Sequence, residues 1–324
     1  MPFKIYVDLD MPAGALELLQ SGTRGHQLVF PHKPISSVLD SPGVDPQFAA
    51  VDIAFGQPDP KAVAGATHLK WIHVSSSGIT RYDTPGFRAL MAERKIPVTN
   101  SAEVYHEACA VHVLSFMLAQ ARNLPSALQS RAANGTPEWL ALRGSSTTLR
   151  DQTILILGFG AIGKRLVELL KPFHVKVLAY RRKARGDEGV PVITPEQLAQ
   201  TLANVADHIV NILPDNEESR HFFNASRLAT LKPGAVFYNI GRGTTVEQDA
   251  LLDALRSNRL KAAWLDVTDP EPLPANQPLL NQPNCHITPH LAGGHVDEAK
   301  TLVRHFLNNF GRFVAGQPLL DRVM

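Results

Sequence analysis

One stretch limits the possible folds more than any other. The apolar run Thr153-Ile-Leu-Ile-Leu157 leads into Gly158-Phe-Gly160-Ala-Ile-Gly163, and a helical pattern, Lys-Arg-Leu-Val-Glu-Leu-Leu, follows at once. A β run, a glycine turn and a helix in that order form the phosphate-binding opening of a βαβ unit. Each glycine has a separate job. Gly158 permits the tight turn, Gly160 clears the space where main chain approaches a pyrophosphate, and Gly163 lets the helix close on the strand. The amides of Ala161 and Ile162 then stand at the helix N-terminus, where unpaired N–H groups and the dipole favour an anion.

The rest of the chain repeats that alternation. After the first strand at Thr153–Leu157, strands are expected at Val175–Tyr180, His208–Leu213, Ala235–Ile240, Ala262–Val267 and His286–Thr288. Helices are expected at Ala161–Leu170, Pro195–Leu202, Asn224–Thr230 and Glu247–Ser257. Six strands at this spacing match a doubly wound dinucleotide-binding sheet. The first hundred residues alternate in the same way, with strands expected at Lys4–Asp8, Gln27–Phe30, Val51–Phe55, Lys70–Val74 and Pro97–Thr99, and a loop or edge from Pro31 to Pro46. A long apolar helix, Ala102–Ala121, is capped by Ser101 and reads equally as an inter-domain or inter-subunit element and as a core helix. Residues Asn123 to Asp151 carry no clear period, and Trp139 within them is expected to pack in a core. Val296–Phe313 reads as one amphipathic helix. The expected fold class is α/β, with two doubly wound parallel-sheet lobes and an active-site cleft between them. Residues 1–101 plus 295–324 form one lobe, and residues 102–294 form the cofactor lobe.

Charge and cysteine content remove several classes of function. Lys and Arg number 32 against 30 Asp and Glu, a net charge of +2 over 324 residues, which gives no general attraction to nucleic acid or an anionic membrane. Cys109 and Cys285 cannot form a disulfide framework and lack zinc-ligand spacing. The acidic, interrupted N-terminus MPFKIYVDLD does not read as a signal peptide, and the apolar run at Ala108–Ala119 is broken by His112 and too short to span a bilayer. A cytoplasmic protein without nucleic-acid or membrane partners is expected.

Two further features bear on chemistry. The second strand of the cofactor lobe ends in Tyr180-Arg181-Arg182-Lys183, with Arg185 beyond, where an acid would take the adenosine ribose hydroxyls. Guanidinium groups bind a 2′-phosphate that a carboxylate would repel, so NADP(H) is expected to be preferred, with NAD(H) possible. Three segments also follow predicted strand ends, where open α/β sheets bind ligands: Tyr238-Asn-Ile-Gly-Arg242-Gly243, Leu265-Asp266-Val267-Thr-Asp-Pro-Glu271-Pro272 and Ile287-Thr-Pro-His290-Leu-Ala-Gly-Gly294. The glycines beside Arg242 are expected to let a substrate approach. A planar guanidinium suits a carboxylate, a histidine can give or take the proton that accompanies hydride transfer, and a carboxylate beside it orients the ring.

As a set, LGFGAIG, NILP with the following SRHFFN, LKPGAVFYNIGRG, LDVTDPEPLP and ITPHLAGG resemble the D-isomer-specific 2-hydroxyacid dehydrogenase family, which includes glyoxylate/hydroxypyruvate reductases; WIHVSSSGITRYD and the long helix match more loosely. The resemblance implies an oxidoreductase that passes a hydride between NAD(P)(H) and a small 2-keto or 2-hydroxy acid, usually as a homodimer. It implies that Arg242 binds substrate, that His290 is the general acid/base and that Glu271 is its partner. It assigns Asp266 to the nicotinamide carboxamide, the stretch Leu213–Pro214 to the adenosine, and the backbone amides of Ser77 and Gly78 to the substrate carboxylate. Val111 stands where relatives often have Glu before the helix histidine, which argues against a polar role for that helix. The Glu at position 271 argues against formate dehydrogenases of related fold, which carry Gln there. A dinucleotide-binding regulator or corepressor on the same scaffold is the alternative, and the intact Arg242, Glu271 and His290 set argues against it.

Overall fold

The computed structural model describes residues 2–35 and 43–324. Part of the predicted Pro31–Pro46 loop, residues 36–42, lies outside them. By contact the chain divides into two units. Unit 1 comprises Met1–Tyr105 and Gly294–Met324, and unit 2 comprises His106–Gly293.

Unit 1 is built on a five-stranded sheet of β1 (Lys4–Val7), β2 (Gln27–Val29), β3 (Ile53–Gly56), β4 (Trp71–Val74) and β5 (Val98–Thr99), in the order β2-β1-β3-β4-β5. Every pairing is parallel. The central strands β3 and β4 are buried throughout, as a sheet covered on both faces requires. The amphipathic helix Glu298–Val314 belongs to this unit because its apolar stripe is buried here. Phe306 is fully buried, with its ring stacked on Phe55 at 4.2 Å and on Trp71 at 5.3 Å. The chain terminus then returns to β5, where Val323 N–H donates to the Val98 carbonyl. The first unit is therefore discontinuous in sequence.

Unit 2 holds a seven-stranded parallel sheet: β6 (Thr153–Leu157), β7 (Lys176–Tyr180), β8 (Val192–Ile193), β9 (His208–Asn211), β10 (Ala235–Asn239), β11 (Leu260–Leu265) and β12 (Cys285–Ile287). The order is β12-β11-β10-β9-β6-β7-β8, so strand order reverses between β6 and β9. Sequence pattern missed β8 because two residues are too short to show a period. It also missed two helices between positions 123 and 151, Leu124–Gln129 and Pro137–Ser145. Their signals are starts rather than periods. Pro stands in the first turn of each, and Thr136 caps the second through the Trp139 amide. Neither helix has a buried residue, and Trp139 is half-exposed with the Arg143 guanidinium 5.2 Å over its ring, so it is not a core residue of this chain. No helix among the described residues is long and apolar enough to cross a membrane.

Candidate active site

At the switch point of the unit 2 sheet, β6 ends in the glycine loop. Gly158 has φ +89°, a left-handed backbone that favours glycine, and a Cβ there would stand 2.4 Å from the Ile212 carbonyl oxygen. At Gly163 a Cβ would press on Phe159 and Ile156, whereas at Gly160 it would meet nothing within 4 Å. The helix Ala161–Leu170 starts at Gly160 with no side-chain cap, so its first-turn amides, Ala161 and Ile162 included, lack a capping oxygen. Open space and uncapped amides fit a diphosphate. Across the switch point, Leu213 is half-buried, its amide donating to Asn211 Oδ1, and the Pro214 carbonyl accepts from the Ser219 hydroxyl.

The basic turn after β7 is less free than its sequence suggests. Arg181 is largely buried and paired with Glu188 at 3.0 Å. The Glu188 carboxylate also accepts the Arg185 and Gly186 amides, and those contacts hold it below the usual carboxylate range. Arg182 is highly exposed and pairs with Glu218 at the surface. Sequence reading passed over Glu188 because it lies beyond the strand end where the ribose-binding acid is sought.

Arg242, Glu271 and His290 all lie in unit 2, on loops that follow β10, β11 and β12. Arg242 donates to the Gly241 carbonyl at 2.7 Å. Burial draws its guanidinium down from its ordinary range, opposed by Asp215, Glu271 and Cys109. The flanking glycines serve the chain itself. A Cβ at Gly243 would come 2.0 Å from the Thr268 carbonyl group, and one at Gly241 would come 2.7 Å from the Leu213 carbonyl oxygen. They admit neighbouring main chain, which replaces the expectation that they clear a path for substrate. Underneath, the fully buried Asn211 amide donates to Asn239 Oδ1 at 3.0 Å and to Thr245 Oγ1 at 2.7 Å, while Asn239 and Thr245 both donate to the Arg242 carbonyl. Sequence reasoning missed these asparagines, although a polar residue closing an apolar strand (VN in β9, YN in β10) was the available signal.

His290 Nδ1 lies 2.6 Å from Glu271 Oε1, with both side chains about three-quarters buried. The backbone of His290 is left-handed, φ +49°, an arrangement that persists only when its surroundings hold it. Asp266 does so. Its 2% exposed carboxylate accepts the Leu291 and Ala292 amides at 2.9 Å each and the Thr288 hydroxyl at 2.6 Å, and its own carbonyl accepts the His290 amide. His112, on the helix Ala102–Ala121, reaches the same cluster, with Nε2 3.3 Å from Thr288 Oγ1 and 3.6 Å from Asp266 Oδ1. That helix therefore has a polar role despite Val111. Burial lowers the His112 pKa, and Asp266 opposes the shift.

In unit 1 the loop after β4 is strapped by its carbonyls. The Tyr105 hydroxyl donates to the Ser75 carbonyl, the Ser101 amide to that of Ser76, the Asn100 side chain to that of Ser77, and the Ser76 hydroxyl to that of Gly78. In a trans peptide the N–H opposes the preceding C=O, so the amides of Ser77 and Gly78 point away from these anchors. The Gln57 side-chain amide donates to the Ser75 and Ser76 hydroxyl oxygens, and the Gln57 backbone N–H donates to Asp8.

A parallel sheet with a glycine-loop switch point, beside a histidine–carboxylate pair and a half-buried arginine, defines a dinucleotide-dependent oxidoreductase. Residues 114–292 match the family model described as D-isomer specific 2-hydroxyacid dehydrogenase, NAD binding domain. The chain is 33% identical over 262 residues to the human glyoxylate reductase/hydroxypyruvate reductase, covering 79% of this chain and 77% of that one. Among solved structures it is similar to a D-isomer specific 2-hydroxyacid dehydrogenase from Xanthobacter autotrophicus Py2 in complex with NADPH and MES (27% identity, TM-score 0.78, 100% and 98% of the two chains). A family member from Aeromonas salmonicida matches at 28% identity with TM-score 0.77, over 100% and 99% of the two chains. The chain belongs to the D-isomer-specific 2-hydroxyacid dehydrogenase family.

Proposed function

We propose that the protein reduces small 2-keto acids, with glyoxylate and hydroxypyruvate as the first substrates to test, and that it prefers NADPH. The observation that carries the reading is the 2.6 Å contact between His290 Nδ1 and Glu271. With Nδ1 held there, Nε2 is the atom left to give a proton to the keto oxygen, or to take it back in oxidation. Arg242 binds the substrate's carboxylate and carbonyl oxygen, its half-buried charge strengthened by low dielectric. The amides of Ser77 and Gly78 take the carboxylate as well. Unit 1 is then the substrate-binding domain and unit 2 the NAD(P)-binding domain. The chemistry a bound nicotinamide dinucleotide supplies is the hydride. Gly158, Gly160, Gly163 and the amides of Ala161 and Ile162 hold its diphosphate, Leu213 and Pro214 line the adenosine, and Asp266 takes the carboxamide while bracing the His290 loop.

Preference for the 2′-phosphate rests on the absence of an acid directly after Tyr180 and on Arg182, whose surface ion pair is cheap to exchange for a phosphate. NADPH is bound to one of the similar proteins. A homodimer is part of the proposal, supported by the exposed apolar side chains Val111, Leu124, Leu128 and Leu140. Steady-state kinetics over a panel of 2-keto acids with both coenzymes tests the reading. NADPH is expected to give kcat/KM about tenfold above NADH, the worth of one charge-assisted hydrogen bond. A higher value with NADH overturns the preference, and no turnover on any 2-keto acid with dinucleotide still bound favours a regulator.

A further inference from the structure

Three segments of unit 1 bring ligating side chains together. Glu103 stands in the first turn of helix Ala102–Ala121, His305 in helix Glu298–Val314 and Asp321 in the terminal tail, and one ligand atom from each lies within 4.8 Å of the others. The histidine makes this more than a coincidence of acids. His305 is 8% exposed, and its buried Nε2 makes no hydrogen bond among the described residues, although Asp321 Oδ2 lies 3.2 Å away. At that distance Nε2 is still misaligned for a hydrogen bond to the oxygen. That leaves a buried polar atom without a hydrogen bond, which native interiors avoid. Its neighbour His73, 5.3 Å away between ring centroids, is engaged elsewhere, with Nδ1 2.7 Å from Thr99 Oγ1 and Nε2 3.3 Å from Ser101 Oγ. Asp321 is held in place, its Oδ2 accepting the Glu103 amide at 3.0 Å.

We propose that Glu103, His305 and Asp321 form a structural binding site for a zinc-class divalent transition ion, which ties the start of the long helix, the last helix and the terminal tail together within unit 1. One imidazole nitrogen with two carboxylate oxygens suits zinc, with water in the fourth position, whereas calcium and magnesium prefer all-oxygen sets. The 3.2 Å separation of Nε2 from Oδ2 is close to the edge of a tetrahedron with bonds of about 2.1 Å.

The test uses the full-length protein, stripped with a chelator, dialysed against Zn²⁺ and assayed for bound metal, beside Glu103→Gln, His305→Gln and Asp321→Asn. Wild type is expected to hold one equivalent more than each variant and to melt several degrees higher with Zn²⁺ than without, a rise the variants lack. Glu103 is exposed, so Glu103→Gln tests the site even if His305→Gln fails to fold. Equal zinc in wild type and Glu103→Gln, or none in wild type, overturns the proposal and leaves a His305–Asp321 ion pair.

Discussion

Units 1 and 2 both place their candidate site loops after the ends of parallel strands, yet they equip them differently. After β10, β11 and β12, unit 2 presents side chains, Arg242, Glu271 and His290, on loops braced by Asn211, Asn239 and Asp266. After β4, unit 1 presents main chain, because side chains and amides around the 75–78 loop clamp its carbonyls and turn the amides outward. On the proposed function, one half should be sensitive to residue identity and the other to loop shape.

Turnover kinetics on a 2-keto acid give the strongest test of that contrast. His290→Gln is expected to lower kcat by about 10²–10⁴-fold while dinucleotide affinity stays within about threefold. Ser77→Ala, which keeps the amide, should change kcat/KM by less than about threefold, well under the worth of a lost charge-assisted hydrogen bond. A large loss in Ser77→Ala, or wild-type turnover in His290→Gln, breaks the distinction.

Acid and base stability should separate the units next. Burial raises the pKa of Asp8, in unit 1, to about 7. A carboxyl with a raised folded pKa stabilises fully below its unfolded value near 3.8, and that contribution is lost as pH rises to about 7. Burial lowers that of His208, in unit 2, to about 4 from 6.5, so its contribution is present above pH 6.5 and lost as pH falls toward 4. Urea titrations across this range should show Asp8→Asn removing a loss on the order of 2–4 kcal/mol toward neutral pH. His208→Gln should remove an opposite loss on the order of 1–3 kcal/mol toward acid. Unchanged pH slopes in both variants would discard the assignment.

A further contrast concerns two tryptophans, of which the exposed one gives the smallest effect. Trp71 is fully buried in unit 1, so Trp71→Ala should cost about 3–5 kcal/mol. Trp139→Ala, on a helix with no buried residue, should cost less than about 1 kcal/mol in monomer stability, measured by denaturation at low protein concentration. Equal costs would restore Trp139 to a core.

Much of the candidate site was legible because it is local. A strand, three glycines and a helix lie in one stretch, and Arg242, Glu271 and His290 each follow a strand end readable from its own apolar run. The supports were not legible. Glu188 neutralises Arg181 across a turn with no periodic signature, and Asn211 meets Asn239 only because β9 and β10 are neighbours. His112 reaches Asp266 from a position 154 residues earlier in the chain.

From Gly158 to Gly163 the strand, glycine turn and helix lie in one stretch, so the sequence alone determined a glycine loop and the parallel sheet around it. Which glycine admits which backbone, why His290 keeps a left-handed conformation, and where His305 finds its acids are set by groups distant in sequence. Those were decided only by the tertiary structure, because buried polar atoms are satisfied by whatever packing brings to them, and packing is not written in any one segment.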